Sequence, residues 1–161
     1  MSNALDLNIS SEKIIDFLVA DCLDLGQLRA NKFRTSDRVF KIRDPLKEVS
    51  SILQFKAAFK HIKISVSYLD IEEDTLLHCD ELRVTQVLLN LLSNALKFTP
   101  NNGRIDIKVR YINPNDSLLG VHPDLQPFVE RDEILMISVT DNGTGIKEED
   151  MSKLFTLYGF I

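Results

Sequence analysis

Cysteine is scarce in this chain: only Cys22 and Cys79 occur in 161 residues. Two are too few for a disulfide framework. Glycine (six) and proline (five) are also few, which excludes collagen-like and low-complexity sequence. No apolar run approaches the roughly 20 residues that span a bilayer, so the sequence contains no membrane segment. The opening MSNALDLNIS has no basic residue leading into an apolar stretch, so it does not read as a secretion signal. The expectation is a reducing, cytoplasmic setting, although the parent protein can still be anchored in a membrane. Hydrophobic residues make up 44% of the chain, which supports a packed core and excludes a disordered chain. The length suits one domain, or one domain with an appendage.

Charge is unevenly spread. Residues 1–60 carry ten Lys and Arg against eight Asp and Glu, giving +2, whereas residues 61–161 carry nine against sixteen, giving −7. Arg29, Lys32, Arg34, Arg38, Lys41, Arg43 and Lys47 form a basic stretch that reads as solvated surface. Nucleic-acid binding would want a basic domain, and this chain is acidic overall, so that class is excluded.

Periodicity supplies the elements. Ser10 to about Phe33 reads as a helix capped by Ser10 or Ser11, with Ile15, Leu18, Cys22 and Leu25 forming a short coiled-coil-like seam. Arg38 to Ile42 reads as a short strand. Asp44 is the expected cap of a second helix, with Pro45 at its first position and Leu46, Val49, Leu53 and Ala57 as its buried stripe. Ile62 to Tyr68 alternates as a half-buried strand, and Leu76–Cys79 reads as another short strand. Asp80 caps a third helix that runs to about Phe98 and is stopped by Pro100 and Asn101-Asn102-Gly103. Arg104 to Tyr111 alternates again. Residues 112–132 hold three prolines and read as a loop or insertion. Ile134 to Val139 is apolar throughout and reads as a central strand. Glu148 to about Leu157 reads as helical.

Two segments carry chemistry. In the third helix Val84, Val87, Leu88, Leu89, Leu91, Leu92, Ala95 and Leu96 leave almost no polar face, which predicts burial. Gln86, Asn90, Asn94 and Lys97 interrupt it at spacings of 4, 4 and 3, within one narrow stripe. Buried amides need partners. The stripe is either the wet side of the helix or a ligand face. An amide oxygen suits Mg²⁺, which shares phosphate oxygens, and Lys97 can meet phosphate as a point charge. The second segment is Asp141-Asn142-Gly143-Thr144-Gly145, after the apolar strand. Its two glycines let backbone approach a ligand closely. The Asp141 carboxylate accepts hydrogen bonds only and suits an exocyclic amine such as adenine presents. A surface loop or part of a cation site remain alternatives for this turn.

Together these segments resemble sensor histidine kinases. DELRVTQVLLNLLSNALKFTP resembles their N box, DNGTGI their first glycine box, and Leu154-Phe155 their phenylalanine box. The resemblance implies a two-layer α/β sandwich of the Bergerat type, with a mixed sheet, helices on one face and an N-terminal helical stub. It implies that residues 1–35 end a dimerisation helix and that 36–161 form an ATP-binding domain that stops before the second glycine box. Carried over, Asn94 would coordinate Mg²⁺, Asn90 would sit beside the triphosphate, and Lys97 would contact phosphate. Phe98 would lie near the nucleotide, Asp141 would bind the adenine amine, and Gly143 and Gly145 would pack against the base. The side chains of Asn94 and Asp141 would open into one cavity.

The implied reaction is transfer of the γ-phosphoryl group of Mg·ATP to a histidine on a dimerisation domain, and from there to a response-regulator receiver domain, within a homodimer. Related hydrolytic ATPases carry a Glu where this chain has Asn90, and an amide cannot take a proton from water, so fast hydrolysis is not expected. No phosphoacceptor is assigned: His61, His78 and His122 all lie outside the family's acceptor position. A second reading is a nucleotide-binding or dimerising scaffold without kinase activity.

Overall fold

The computed structural model describes residues 32–112, 115, 116 and 134–151, together with 15, 19, 20, 23, 24, 26, 27, 29 and 30. Strands β1 (Arg38–Lys41) and β3 (Leu76–Cys79) pair antiparallel. Strands β2 (Lys63–Leu69), β4 (Arg104–Ile112) and β5 (Ile134–Asp141) form a second sheet in the order β2-β4-β5. That sheet is mixed: β2 runs parallel to β4, and β4 antiparallel to β5. The helices are α1 (Arg43–Phe59), α2 (Glu81–Phe98) and the short α3 (Glu148–Met151).

Alternation decides which face of the sheet is covered. Ile105, Ile107 and Val109 of β4 are wholly buried, and Leu135, Ile137 and Val139 of β5 stand beside them. Against this face pack Leu46, Val49 and Leu53 of α1 with Leu88, Leu92 and Leu96 of α2. The result is the expected sandwich of one mixed sheet and a helical layer. The other face carries Lys63, Arg104 and Lys108, all exposed. Among the described residues no helix is long and apolar enough to cross a membrane.

Several details depart from the sequence reading. Helix α1 starts two residues early: Ile42 is its N-cap, without a side-chain cap, and Asp44 sits inside the first turn. Pro45 is therefore the third helical residue, a position whose amide has no helical partner in any case. The Asp44 carboxylate lies 3.8 Å from Arg43. Strand β5 is the outer strand among the described residues, and β4 is the central one. The apolar run of β5 is only half-buried along its length, because one side of the strand has no described neighbour. Leu18, Cys22, Leu25, Leu154, Phe155, His122 and most of 112–132 lie outside the described residues.

The helix ends fall where the chain chemistry puts them. Asp80 caps α2 by accepting from the Arg83 amide at 3.2 Å, and it also accepts from the Ser36 amide at 2.8 Å. Helix α1 ends with His61 in the left-handed region, φ 53°. The Ile62 amide reaches the Ala57 carbonyl at 2.9 Å and the His61 amide reaches Ala58 at 3.0 Å. This is the paired closing pattern that satisfies the last carbonyls of a helix.

Candidate functional site

Helix α2 turns one side to the core and the other to solvent. Asn90, Asn94 and Lys97 are all on the solvent side, so the amides expected to be buried are not. Leu82, Val87 and Leu91 are exposed as well, although the sequence predicted a helix buried most of the way round. The partner of Asn94 is its own neighbour: its Nδ2 donates to Asn90 Oδ1 at 3.2 Å. No described group donates to the Asn94 side-chain oxygen. Gln86 belongs to a different environment. It is buried, its Oε1 accepts from Arg83 at 2.8 Å, and its Nε2 donates to Asp24 at 3.5 Å. Arg83 is also ion-paired with Asp24 and lies 5.2 Å from the centre of the Phe33 ring. The four-residue stripe thus divides into one structural amide and three open polar groups.

The glycine turn leaves β5 at Asp141, whose register partner on β4 is Ile105. Asp141 Oδ1 accepts from the Gly143 amide at 2.7 Å, an Asx-type turn. Its second oxygen has no described donor. Asn142 ties the turn back to β4: Arg104 N donates to its Oδ1 at 2.8 Å, and its own amide donates to the Arg104 carbonyl at 3.3 Å. A strand–turn–helix path follows, with α3 beginning at Glu148. Gly145 has φ +69°, the left-handed region that glycine enters without strain.

The two segments meet at the end of α2. The Thr144 amide donates to the Phe98 carbonyl at 3.4 Å. A β-carbon on Gly143 would lie 2.7 Å from that same oxygen and 2.6 Å from Asp141 Oδ1. Gly143 therefore admits its own chain closely. Phe98 is 39% exposed and carries the Lys97 ammonium 4.8 Å from its ring centre. Asp141, Phe98 and Lys97 are in this way gathered at one end of α2, with Asn94 one helical turn back. The expectation that Asn94 and Asp141 open into one cavity is not met: the cavity that touches Asn94 is a different space. It lies between α1 and α2 and does not include Asp141.

Sequence reasoning missed Lys60. Its Nζ donates to the carbonyls of Leu96 (2.7 Å), Lys97 (3.2 Å) and Thr99 (2.6 Å), closing the C-terminus of α2. An ammonium group there neutralises the negative end of the helix and satisfies its last carbonyls. Nothing in the local sequence reveals this, because Lys60 comes from the end of another helix. Asn142 was visible in its motif but read only as a turn residue.

The open groups offer ligands of the kind a nucleotide and its metal take. Among the described residues no cluster of three His, Cys, Asp or Glu side chains could hold a metal alone. One undonated amide oxygen, on Asn94, suits Mg²⁺, which keeps several waters and takes further ligands from phosphate. Asp141 keeps one carboxylate oxygen for a donor, and Lys97 supplies positive charge. Residue by residue the chemistry suits the group, although among the described residues Asn94 and Asp141 do not line one cavity.

Comparison with known proteins follows the same line. Residues 79–160 match the family described as Histidine kinase-, DNA gyrase B-, and HSP90-like ATPase. The chain is similar to hybrid signal transduction histidine kinase C of Dictyostelium discoideum, 32% identical over 138 residues, 86% of this chain and 10% of that protein. It is also similar to the non-motile and phage-resistance protein of Caulobacter vibrioides, 29% identical over 149 residues, 92% of this chain and 15% of that protein. The chain therefore spans no more than about a seventh of these two relatives. Full-length ShkA in complex with AMPPNP shares the fold, with a TM-score of 0.63 and 23% identity over 96% of this chain and 29% of that one.

Proposed function

Because this chain belongs to the histidine kinase-, DNA gyrase B- and HSP90-like ATPase family, as a histidine kinase-type ATPase domain, we propose that it is the ATP-binding catalytic part of a sensor histidine kinase. The reaction is in-line transfer of the γ-phosphoryl group of Mg·ATP to an imidazole nitrogen. A P–N bond forms, the bond from the γ-phosphorus to the β–γ bridging oxygen breaks, ADP departs, and the attacking imidazole loses its proton. The acceptor histidine sits on a dimerisation domain. From it the phosphoryl group passes to the receiver domain of a response regulator. The setting is a cytoplasmic homodimer, in which residues 1–35 continue a dimerisation helix and 36–161 bind nucleotide.

Each side chain has a task in this reading. Asp141 accepts from the exocyclic amine of adenine with the oxygen that Gly143 does not use. The left-handed turn at Gly145 keeps side chains away from the base, and Phe98 covers its edge. Lys97 faces the phosphates as a point charge, and Asn90 lies beside them. Mg²⁺, when bound, offsets negative charge on the β and γ phosphates, and Asn94 Oδ1 is the ligand this chain supplies. Asn90 cannot take a proton from water, so the bound nucleotide is preserved for an imidazole, which is itself a nucleophile.

The observation that supports this most is the hydrogen bond from Thr144 to the Phe98 carbonyl. It ties the end of the amide-bearing helix to the carboxylate-bearing turn, which supports reading the two segments as parts of one site. Calorimetric titration tests the proposal. Mg·ADP or Mg·ATP should bind, Asp141→Asn should weaken binding about tenfold or more, the range for a lost hydrogen bond to a charged group, and Asn94→Ala should abolish the dependence on Mg²⁺. Incubation with a histidine-bearing dimerisation domain and labelled ATP should then give acid-labile phosphate on that domain. Nucleotide binding that neither substitution alters would overturn the site, and binding without transfer would favour a scaffold.

A further inference from the structure

The groove between the C-terminal halves of α1 and α2 shares Asn94 and Lys97 with that reading, and its remaining lining has no part in it. It encloses about 620 Å³. Helix α1 contributes Phe55, Lys56 and Phe59, its capping residue Lys60 follows, and α2 contributes Ser93, Asn94, Leu96 and Lys97. Phe59 is 88% exposed, the most exposed large apolar side chain among the described residues. A phenyl ring so placed gives up about 2 kcal/mol of burial. Its neighbours Leu96 and Ala57 are buried at 2% and 6%, so the ring is not carried out by a frayed helix end.

The charge around this ring is of one sign. Among the described residues three lysines line the groove and no carboxylate does. The Lys60 ammonium is occupied by the carbonyls that end α2. Lys56 and Lys97 meet no carboxylate among the described residues; Lys97 only rests on the Phe98 ring. This cationic rim stands on a chain whose net charge is −5. A surface meant only for water would more simply carry mixed charges and no phenyl ring.

The spacing indicates the shape of what fits. Phe55 and Phe59 repeat at one helical turn, and the Lys56 and Lys97 ammonium groups flank them from α1 and α2. A partner that matches this row and its flanks repeats at one turn itself, with apolar anchors on one line and carboxylates on the next. That is an amphipathic acidic helix laid into a two-helix groove. We propose that the α1–α2 groove is a docking site for an acidic amphipathic helix of a partner protein, seated by apolar side chains on Phe55 and Phe59 and oriented by Lys56 and Lys97. The adenine-suited Asp141 is not in its lining, whereas Asn94 and Lys97 border both the groove and the nucleotide site proposed above, so the variants that test the groove are placed at Phe59 and Lys56.

A synthetic helical peptide tests the inference. It has about 15 residues, long enough to hold a helix once bound, with Leu at i, i+4 and i+7 and Glu on the flanking line. Titrated into the whole chain, it should bind saturably by fluorescence anisotropy and shift the amide resonances of residues 55–60 and 93–97. Phe59→Ser and Lys56→Glu should each weaken it at least tenfold. Both side chains are exposed, so neither change should alter the thermal midpoint or the affinity for Mg·ATP. Equal binding by a peptide with Ser in place of Leu would show charge attraction alone and overturn the docking site. Equal binding by a peptide with Lys in place of Glu would overturn its acidic selectivity. A Mg·ATP titration that shifts Phe59 as strongly as it shifts Asp141 would assign the groove to nucleotide and overturn the inference as well.

Discussion

Gly143 sits so close to Phe98 that a β-carbon there would stand 2.7 Å from the Phe98 carbonyl oxygen, well inside van der Waals contact. The oxygen belongs to backbone at the end of α2 and cannot swing away. Gly143→Ala should therefore push the glycine turn off the helix and cost about 1–3 kcal/mol, the range for overpacking. Differential scanning calorimetry should show a midpoint lower by several degrees, and nucleotide affinity should fall with it. Gly145→Ala meets no neighbouring atom. It is strained only by its φ, so it should cost about 1 kcal/mol.

Lys60 offers a prediction about helix α2. Its ammonium serves three carbonyls at once. Lys60→Met keeps the aliphatic stem and removes the charge and the donors. The expected loss is about 1–2 kcal/mol, read as a reduced urea midpoint with an unchanged slope. Hydrogen exchange at the last turn of α2 should quicken more than exchange in the central strand β4.

His61 should respond in the opposite direction. It occupies the left-handed position that closes α1, at φ 53°. Glycine takes that conformation without steric cost, and helices favour it there. His61→Gly should raise stability by about 0.5–1 kcal/mol, whereas His61→Val should lower it. An equal loss in both variants would show that the imidazole makes a contact worth more than the backbone strain.

Cys79 gives a pH signature. Burial pushes its thiol pKa up, and the carboxylates of Asp37, Asp80 and Glu81 push it further in the same direction. The folded chain thus favours the neutral thiol. Its contribution to stability is fully present below the pKa of the unfolded thiol and is lost as pH rises through the higher folded value. In a Cys22→Ser background, labelling by a thiol reagent should be slow at neutral pH. Its midpoint should lie above that of the urea-unfolded chain. A folded midpoint at or below the unfolded one would show that the thiolate is stabilised.

Much of this was legible along the chain because the cues are local. The alternation of Ile105, Ile107 and Val109 told which face of β4 is buried, and Asp80 marked the start of α2 by its capping chemistry. The spacing of Asn90, Asn94 and Lys97 placed them on one stripe, since helical periodicity is a property of the backbone alone. Where the reading failed, a neighbour from elsewhere intervened. Asp44 lost its cap role because the chain entering from β1 lets Ile42 start α1. The apolar run of β5 suggested a central strand, yet run length cannot count the strands that flank it.

Sequence by itself therefore determined the elements, the buried faces of α1 and β4, and the family, all of which follow from periodicity and from motifs written within a single helix or turn. Tertiary structure alone decided that Asn90 and Asn94 face solvent and bond each other, that Gln86 is buried under Arg83, that Lys60 closes α2, and that Phe98 meets the glycine turn. The physical reason is separation along the chain. Each of these last contacts except the Asn pair and the Arg83–Gln86 bond joins groups more than thirty residues apart, and even those two owe their exposure or burial to what the rest of the fold packs against α2.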